Sequence, residues 1–177
     1  VSLVVGFDIG LQGAIGFYDS DLRILLKVVD MPVDRFTVGG KVRGRVSDVR
    51  LLLELAGTRG GHAFLERPEA RPMRGRDKNT GGTVLRTPGA ACMLAFGEGY
   101  GMVHCACVAS GLALTEVRPG VWKRDMGVSG DKDEARRRAM EMFPTFASEF
   151  VRVKDDGRGE ACLIAVWGSR QLGRRTA

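Results

Sequence analysis

A chain of 177 residues, 44% hydrophobic and 27% charged, holds enough apolar material for one domain with a real core, expected to span 1–177. Its formal net charge of +6 favours a polyanionic partner, nucleic acid above all, because counterion release rewards clustered Lys and Arg. No apolar run is expected to reach the ~20 residues of a membrane span and no signal peptide is expected before the first strand, so a membrane partner is not expected.

Residues 3–7 (Leu-Val-Val-Gly-Phe) form an apolar run fit for the middle of a sheet, and Asp8 ends it. An isolated carboxylate there is costly, so Asp8 needs a partner. Gly10 and Gly13 then loosen the backbone, and Ala14, Ile15, Phe17 and Tyr18 resume a strand. Residues 1–19 therefore read as a β-hairpin with its acid at the turn end, although an Asx turn explains this segment equally well. Residues 22–29 give a third strand, ended by Met31-Pro32. Residues 39–45, Gly-Gly-Lys-Val-Arg-Gly-Arg, read as a basic link that is either a solvated loop or a DNA contact. Ser47 or Asp48 caps an amphipathic helix over 49–56, with Val49, Leu52, Leu53 and Ala56 on its apolar face.

Residues 63–66 make a short strand that ends in Glu66 and so repeats the pattern of Asp8. If the two strands are parallel neighbours, both acids leave the same carboxyl edge of the sheet and can share a cation. Residues 69–88 carry Arg71, Arg74, Arg76, Lys78 and Arg86 with almost no apolar periodicity and read as a long basic loop. Its place after Glu66 favours phosphate-backbone binding over simple solvation. Residues 90–110 read as a helix despite Gly97, Gly99 and Gly101, each costing roughly 1 kcal/mol against alanine. Close approach of a neighbouring helix, a second subunit or nucleic acid would offset that cost, with Phe96, Tyr100 and Met102 as core or interface residues.

A fifth strand covers 112–117, and Arg118-Pro119 opens a short helix bearing Trp122, Lys123 and Arg124, the two cations facing either DNA or water. Asp131 opens a helix over 132–142, with Ala135, Ala139 and Met142 as its apolar stripe and Arg136, Arg137 and Arg138 on its basic face. In the tail, Asp155 or Asp156 caps a helix that runs to about residue 170, and Asp156 and Glu160 stand four apart on one face. Like charges so placed repel unless a cation lies near; alternatively Asp156 only caps and Glu160 is exposed. The apolar run 161–167 puts this helix in the core. Cys92, Cys105, Cys107 and Cys162 lack zinc spacing and read as reduced and mostly buried, and His104 has no second ligand pair to complete a zinc site. Valine in the first position suggests a trimmed N-terminus, compatible with removal of a targeting peptide.

The element Gly6-Phe7-Asp8-Ile9-Gly10 is shared by ribonuclease H-like nucleases and actin-like ATPases, and the chain is too short for the two-lobed ATPase architecture. Followed in order by Leu65-Glu66 and Asp156-Gly157-Arg158-Gly159-Glu160-Ala161, it resembles the RuvC-like Holliday-junction resolvases of the ribonuclease H-like superfamily. The likeness is greatest to plant and algal chloroplast resolvases and related phage enzymes. Phe96-Gly97-Glu98-Gly99-Tyr100-Gly101, Trp122-Lys123-Arg124, Asp131-Lys132-Asp133-Glu134-Ala135-Arg136 and Phe143-Pro144 extend it over nearly the whole chain.

The resemblance implies an α/β, ribonuclease H-like domain with a five-stranded mixed sheet flanked by helices. It implies a Mg²⁺-dependent endodeoxyribonuclease, a homodimer that resolves four-way DNA junctions by paired symmetric nicks. Asp8, Glu66, Asp156 and Glu160 would hold two Mg²⁺ ions, with Mn²⁺ as a substitute. Lys154 and Arg158 would steady phosphate charge, Asp155 would be an auxiliary acid, and Arg71, Arg74, Lys123, Arg124 and Lys132 would contact the DNA backbone. The competing expectations are a catalytically silent junction-binding protein on the same fold and a nuclease for RNA–DNA hybrids. Many relatives read Asp-His-Gly-Arg-Ala-Glu-Ala where this chain has Asp-Asp-Gly-Arg-Gly-Glu-Ala at 155–161, which leaves open whether Asp155 or Asp156 faces the metals. The expected compartment is the chloroplast nucleoid, with the phage-infected or bacterial cytoplasm as alternatives.

Overall fold

The computed structural model describes residues 3–67, 73–76 and 81–175, the side chains at 73–76, 86, 132 and 175 excepted. Strands β1 (Leu3–Asp8), β2 (Ala14–Asp19) and β3 (Ile24–Asp30) form an antiparallel meander, as the three opening apolar runs predict. Strands β4 (Val33–Val38) and β5 (Lys41–Val46) pair, among the described residues, only with each other. Helix α1 (Asp48–Glu54) follows, then β6 (His62–Glu66), which lies parallel to β1. A second small hairpin joins β7 (Met73–Arg76) to β8 (Thr83–Arg86), and helix α2 (Ala90–Ala109) leads to β9 (Ala113–Val117), parallel to β6. Helices α3 (Pro119–Met126), α4 (Lys132–Met142) and α5 (Asp156–Arg175) complete the chain. The five-stranded mixed sheet has the order β3-β2-β1-β6-β9.

Strand alternation sorts the core into two halves. Val5 and Phe7 of β1 join Leu51, Leu55, Val103 and Cys107 beneath α1 and α2, whereas Val4 joins Phe64, Trp122, Leu163 and Ile164 beneath α3 and α5. Gly6 and Asp8 share the side of Val4, so Asp8 leaves β1 toward α5. Gly6 lets that helix lie directly on the strand: a Cβ there would sit 2.2 Å from the Ala161 carbonyl oxygen and 2.5 Å from the Ala165 nitrogen. Gly16 repeats the contact against Cys162 on β2.

Several expectations need correction. Residues 39–45 are not a loop but the turn and second strand of the β4–β5 hairpin, with Gly39 and Gly40 at φ 56° and 73° providing the left-handed turn. The described part of 69–88 likewise forms the β7–β8 hairpin; Arg71 lies outside the described residues, and so do the side chains of Arg74 and Lys132. Helix α1 buries Leu51, joined one turn later by the C-cap residue Leu55, and leaves Val49, Leu52 and Leu53 exposed. Cys107 and Cys162 are buried as expected, but Cys92 and Cys105 face outward from α2. That helix is also long and apolar enough, by length and composition, to cross a membrane, contrary to the sequence expectation. Of its glycines, Gly99 is buried against the Val46 side chain, while a Cβ at Gly97 or Gly101 would meet nothing within 4 Å.

Candidate active site at the carboxyl edge of the sheet

Parallel pairing of β1 with β6, with Phe7 opposite Leu65, brings the ends of both strands to one edge, where Asp8 and Glu66 stand side by side. Glu66 shares the side of Phe64 and so points toward α3, whose buried Trp122 donates its indole Nε1–H to Glu66 Oε2 at 2.7 Å. Helix α5 begins over the turn after β1. Gly157 makes this possible, because a Cβ there would lie 2.6 Å from the Gln12 carbonyl oxygen and 2.9 Å from Asp8 Oδ2. Its neighbour Gly159 answers a different contact, the α4 backbone, with Arg136 Cα 2.9 Å from the same imaginary atom. The two glycines that weaken the helix start in isolation are what let it dock.

Asp8 is thereby held among three other acids. Its carboxyl is pushed up to about 8, first by burial and then by the charges of Glu160, Glu66 and Asp156, against an opposing pull from Lys123. Lys123 Nζ lies 2.8 Å from Glu160 Oε1, so this residue, expected at a DNA contact, is engaged inside the acidic cluster. Asp8 and Asp156 line one cavity of about 360 Å3 together with Gly10, Leu11, Gln12 and Gly13.

Positions 155 and 156 have different surroundings. Asp155 is buried, its carboxylate receiving the Arg152 backbone N–H at 2.8 Å and the Arg152 guanidinium at 2.8–3.1 Å. Burial pushes its carboxyl up, but the Arg152 hydrogen bonds and charge outweigh this and hold it below the usual range. Asp156 opens α5 beside Asp8. Arg158, expected near phosphate, is tied to Asp30 at 2.6 Å and to Glu149, clamping α5 to the end of β3. Lys154 lines a groove of about 670 Å3 that adjoins the acidic cavity through Leu11, Gln12 and Gly13. Arg124 is exposed and lies 3.4 Å from Asp125.

The donor set suits a hard divalent cation: four carboxylates, no thiolate, and one acid, Asp8, whose ionised form is disfavoured by burial and by three neighbouring carboxylates that a single lysine only partly offsets. Among the described residues, no three His, Cys, Asp or Glu side chains are already drawn together as a metal-binding group. Trp122 and Lys123 at present hold two of the four acids. Neither pairing was foreseen; the adjacency of an indole and a lysine on a helix facing Glu66 was the available signal.

No protein-family model matches the chain, and no curated protein matches it in sequence. Solved structures do match in fold, two of them RuvC structures. Thermus thermophilus RuvC in complex with a Holliday junction substrate is similar with a TM-score of 0.60, at 15% identity over 97% of this chain and 96% of that one. A second structure of Thermus thermophilus RuvC gives a TM-score of 0.53, at 16% identity over 96% of each chain. At such identities the likeness is one of fold, and the five-stranded mixed sheet with its flanking helices is the RuvC form of the ribonuclease H-like fold.

Proposed function

We propose that this chain is a structure-selective endonuclease that resolves four-way DNA junctions by paired symmetric nicks. The observation that carries the proposal is the placing of Asp8, at the end of the central strand, under the joint charge of Glu66, Asp156 and Glu160. The RuvC neighbour bound to a Holliday junction, covered along nearly its whole length, supports the choice of substrate.

In this reading Asp8, Glu66, Asp156 and Glu160 hold two Mg²⁺ ions, with Mn²⁺ as a substitute. Bound there, the cations supply Lewis-acid activation of the attacking water and charge neutralisation at the leaving 3′ oxygen. The protein's own groups prepare the site. Trp122 fixes the rotamer of Glu66 through its indole hydrogen bond, and Lys123 shields Glu160. Burial and the neighbouring acids raise the Asp8 carboxyl to about 8, and a cation bound beside it would favour the ionised form. Lys154, Arg124 and the basic residues Arg71, Arg74 and Lys132 serve the DNA backbone.

Symmetric nicking needs two copies of the site. The outward stripe of α2, Leu94, Gly97, Gly101, Cys105 and Val108, supports a homodimer, since it is apolar, exposed and low enough for another helix to approach closely. Leu94→Glu should then give a monomer in light scattering; an unchanged mass would remove α2 from the interface. In this proposal the protein works in the chloroplast nucleoid, a reading supported by the motif likeness to chloroplast resolvases, and imaging of a tagged copy would check it.

The deciding experiment incubates the protein with an end-labelled four-way junction and Mg²⁺. Symmetric nicks in opposing strands are expected, and Asp8→Asn should bind without cutting. A retarded junction with no nicked arms would instead identify a silent binder on the same fold.

A further inference from the structure

The β4–β5 hairpin projects from the end of the meander, outside the five-stranded sheet, and takes no part in the acidic site. Cross-strand pairing sets its two faces. Asp34, Phe36 and Val38 stand opposite Arg45, Arg43 and Lys41, so one face gathers three cations around an exposed aromatic ring. The Arg45 guanidinium lies 5.8 Å from the Phe36 ring centroid, a cation–π contact that holds it in place. The one acid on this face, Asp34, is bound by Arg50 of α1 at 2.8 Å, and Arg50 also donates to the Val33 carbonyl, pinning the hairpin's base. Among the described residues, Lys41, Arg43 and Arg45 form no ion pair.

The opposite face is turned toward the acidic site. A Cβ at Gly44 would come within 3.0 Å of the Val33 side chain and 3.4 Å of Leu11, so the missing side chain seats Leu11 of the turn after Asp8. Val33 and Arg35 form one wall of the groove that adjoins the acidic cavity, with Lys154 also lining it. The ribbon is thus anchored to the catalytic turn on its inner side and presents uncompensated positive charge on its outer side.

Resting on the junction-nuclease reading, we propose that the β4–β5 hairpin is a second DNA contact, gripping the phosphates of one junction arm through Lys41, Arg43 and Arg45. A two-stranded ribbon has the width to follow a DNA groove, and three unpaired cations beside a flat ring complement a polyanion. The seat of Leu11 against Gly44 fixes the distance from the gripped arm to Asp8.

The test measures binding of a labelled four-way junction, in EDTA, as a function of salt for wild type, for K41A/R43A/R45A and for R43K/R45K. Each phosphate contact contributes about 0.9 to the slope of log affinity against log salt. The triple variant should therefore lose roughly 2 to 3 from that slope and about tenfold or more in affinity, with an unchanged melting temperature because all three side chains are exposed. The lysine variant should keep the wild-type slope. A triple variant with the wild-type slope and affinity would overturn the hairpin assignment alone. A wild type that binds neither junction nor duplex would overturn the junction reading and this inference with it.

Discussion

Lys123 lays its ammonium 2.8 Å from Glu160 at the start of α5, so the acids around Asp8 carry an internal counter-ion. Both side chains are largely buried, at 20% and 14% exposure. Removing the ammonium leaves Glu160 facing Asp8 without compensation, and Lys123→Met should destabilise the metal-free chain by about 3 kcal/mol, the low end of the cost of breaking a buried pair. The same change deepens the negative potential, so Mg²⁺ should raise the melting temperature of the variant more than that of wild type. Identical melting and identical Mg²⁺ response would show that the pair is incidental.

Asp8 makes the stability of the metal-free chain depend on pH. Its folded-state pKa, about 8, lies above the ordinary 3.8, so between those values the folded chain keeps a proton that the unfolded chain has lost. Stability must then fall as pH rises across this window, and the full penalty is present above pH 8. Asp8→Asn cannot ionise and escapes the penalty. Its melting temperature should exceed that of wild type at pH 8.5, by on the order of 5 °C, and approach it at pH 4. Parallel pH profiles for the two proteins would contradict the assignment, and Mg²⁺ should narrow the gap at high pH by neutralising the wild-type site.

Much of this site was legible because it follows strand and helix periods. Asp8 and Glu66 each end an apolar run, and that pattern alone places them together once the strands are parallel. Asp156 and Glu160 follow from helical spacing. What the sequence could not show was which side chains occupy the acids, since Trp122 and Lys123 lie 56 and 37 residues from their partners. The β4–β5 hairpin, by contrast, carries a readable signal: Gly39-Gly40 between two short runs is a turn, although the charges of Lys41, Arg43 and Arg45 give the same stretch the look of a basic link.

Positions 155 and 156 should separate in experiment. Asp155 is a buried structural acid, and Asp155→Ala would strand Arg152 and open the turn before α5, costing roughly 2–3 kcal/mol. Asp156→Ala, at a half-buried position, should change stability in EDTA by about 1 kcal/mol, the centre of the range for single substitutions and less than at Asp155. It should, however, abolish both cleavage and the Mg²⁺-dependent rise in melting temperature. If Asp155→Ala melts normally and loses the metal response instead, the roles are reversed.

The glycines of the two motifs make different demands, which substitution by alanine would expose. At Gly6 the new methyl meets backbone of α5 at 2.2 and 2.5 Å, so the helix must lift from the sheet. Overpacking of this kind costs about 1–3 kcal/mol even where side chains can yield, and backbone cannot, so Gly6→Ala should lie at or above that range. At Gly157 the methyl meets Gln12 O at 2.6 Å and Asp8 Oδ2 at 2.9 Å, at the helix's first turn, where the chain can shift more easily. Gly157→Ala should therefore lose cleavage out of proportion to stability, because the methyl crowds the Asp8 carboxylate as well as the Gln12 carbonyl. Gly173→Ala, near the end of α5 where an added Cβ would meet nothing within 4 Å, is the control and should stabilise the helix by up to about 1 kcal/mol. Thermal melts and junction cleavage on the three variants would test this order, and a Gly157→Ala enzyme that cuts at the wild-type rate would separate the helix start from the chemistry.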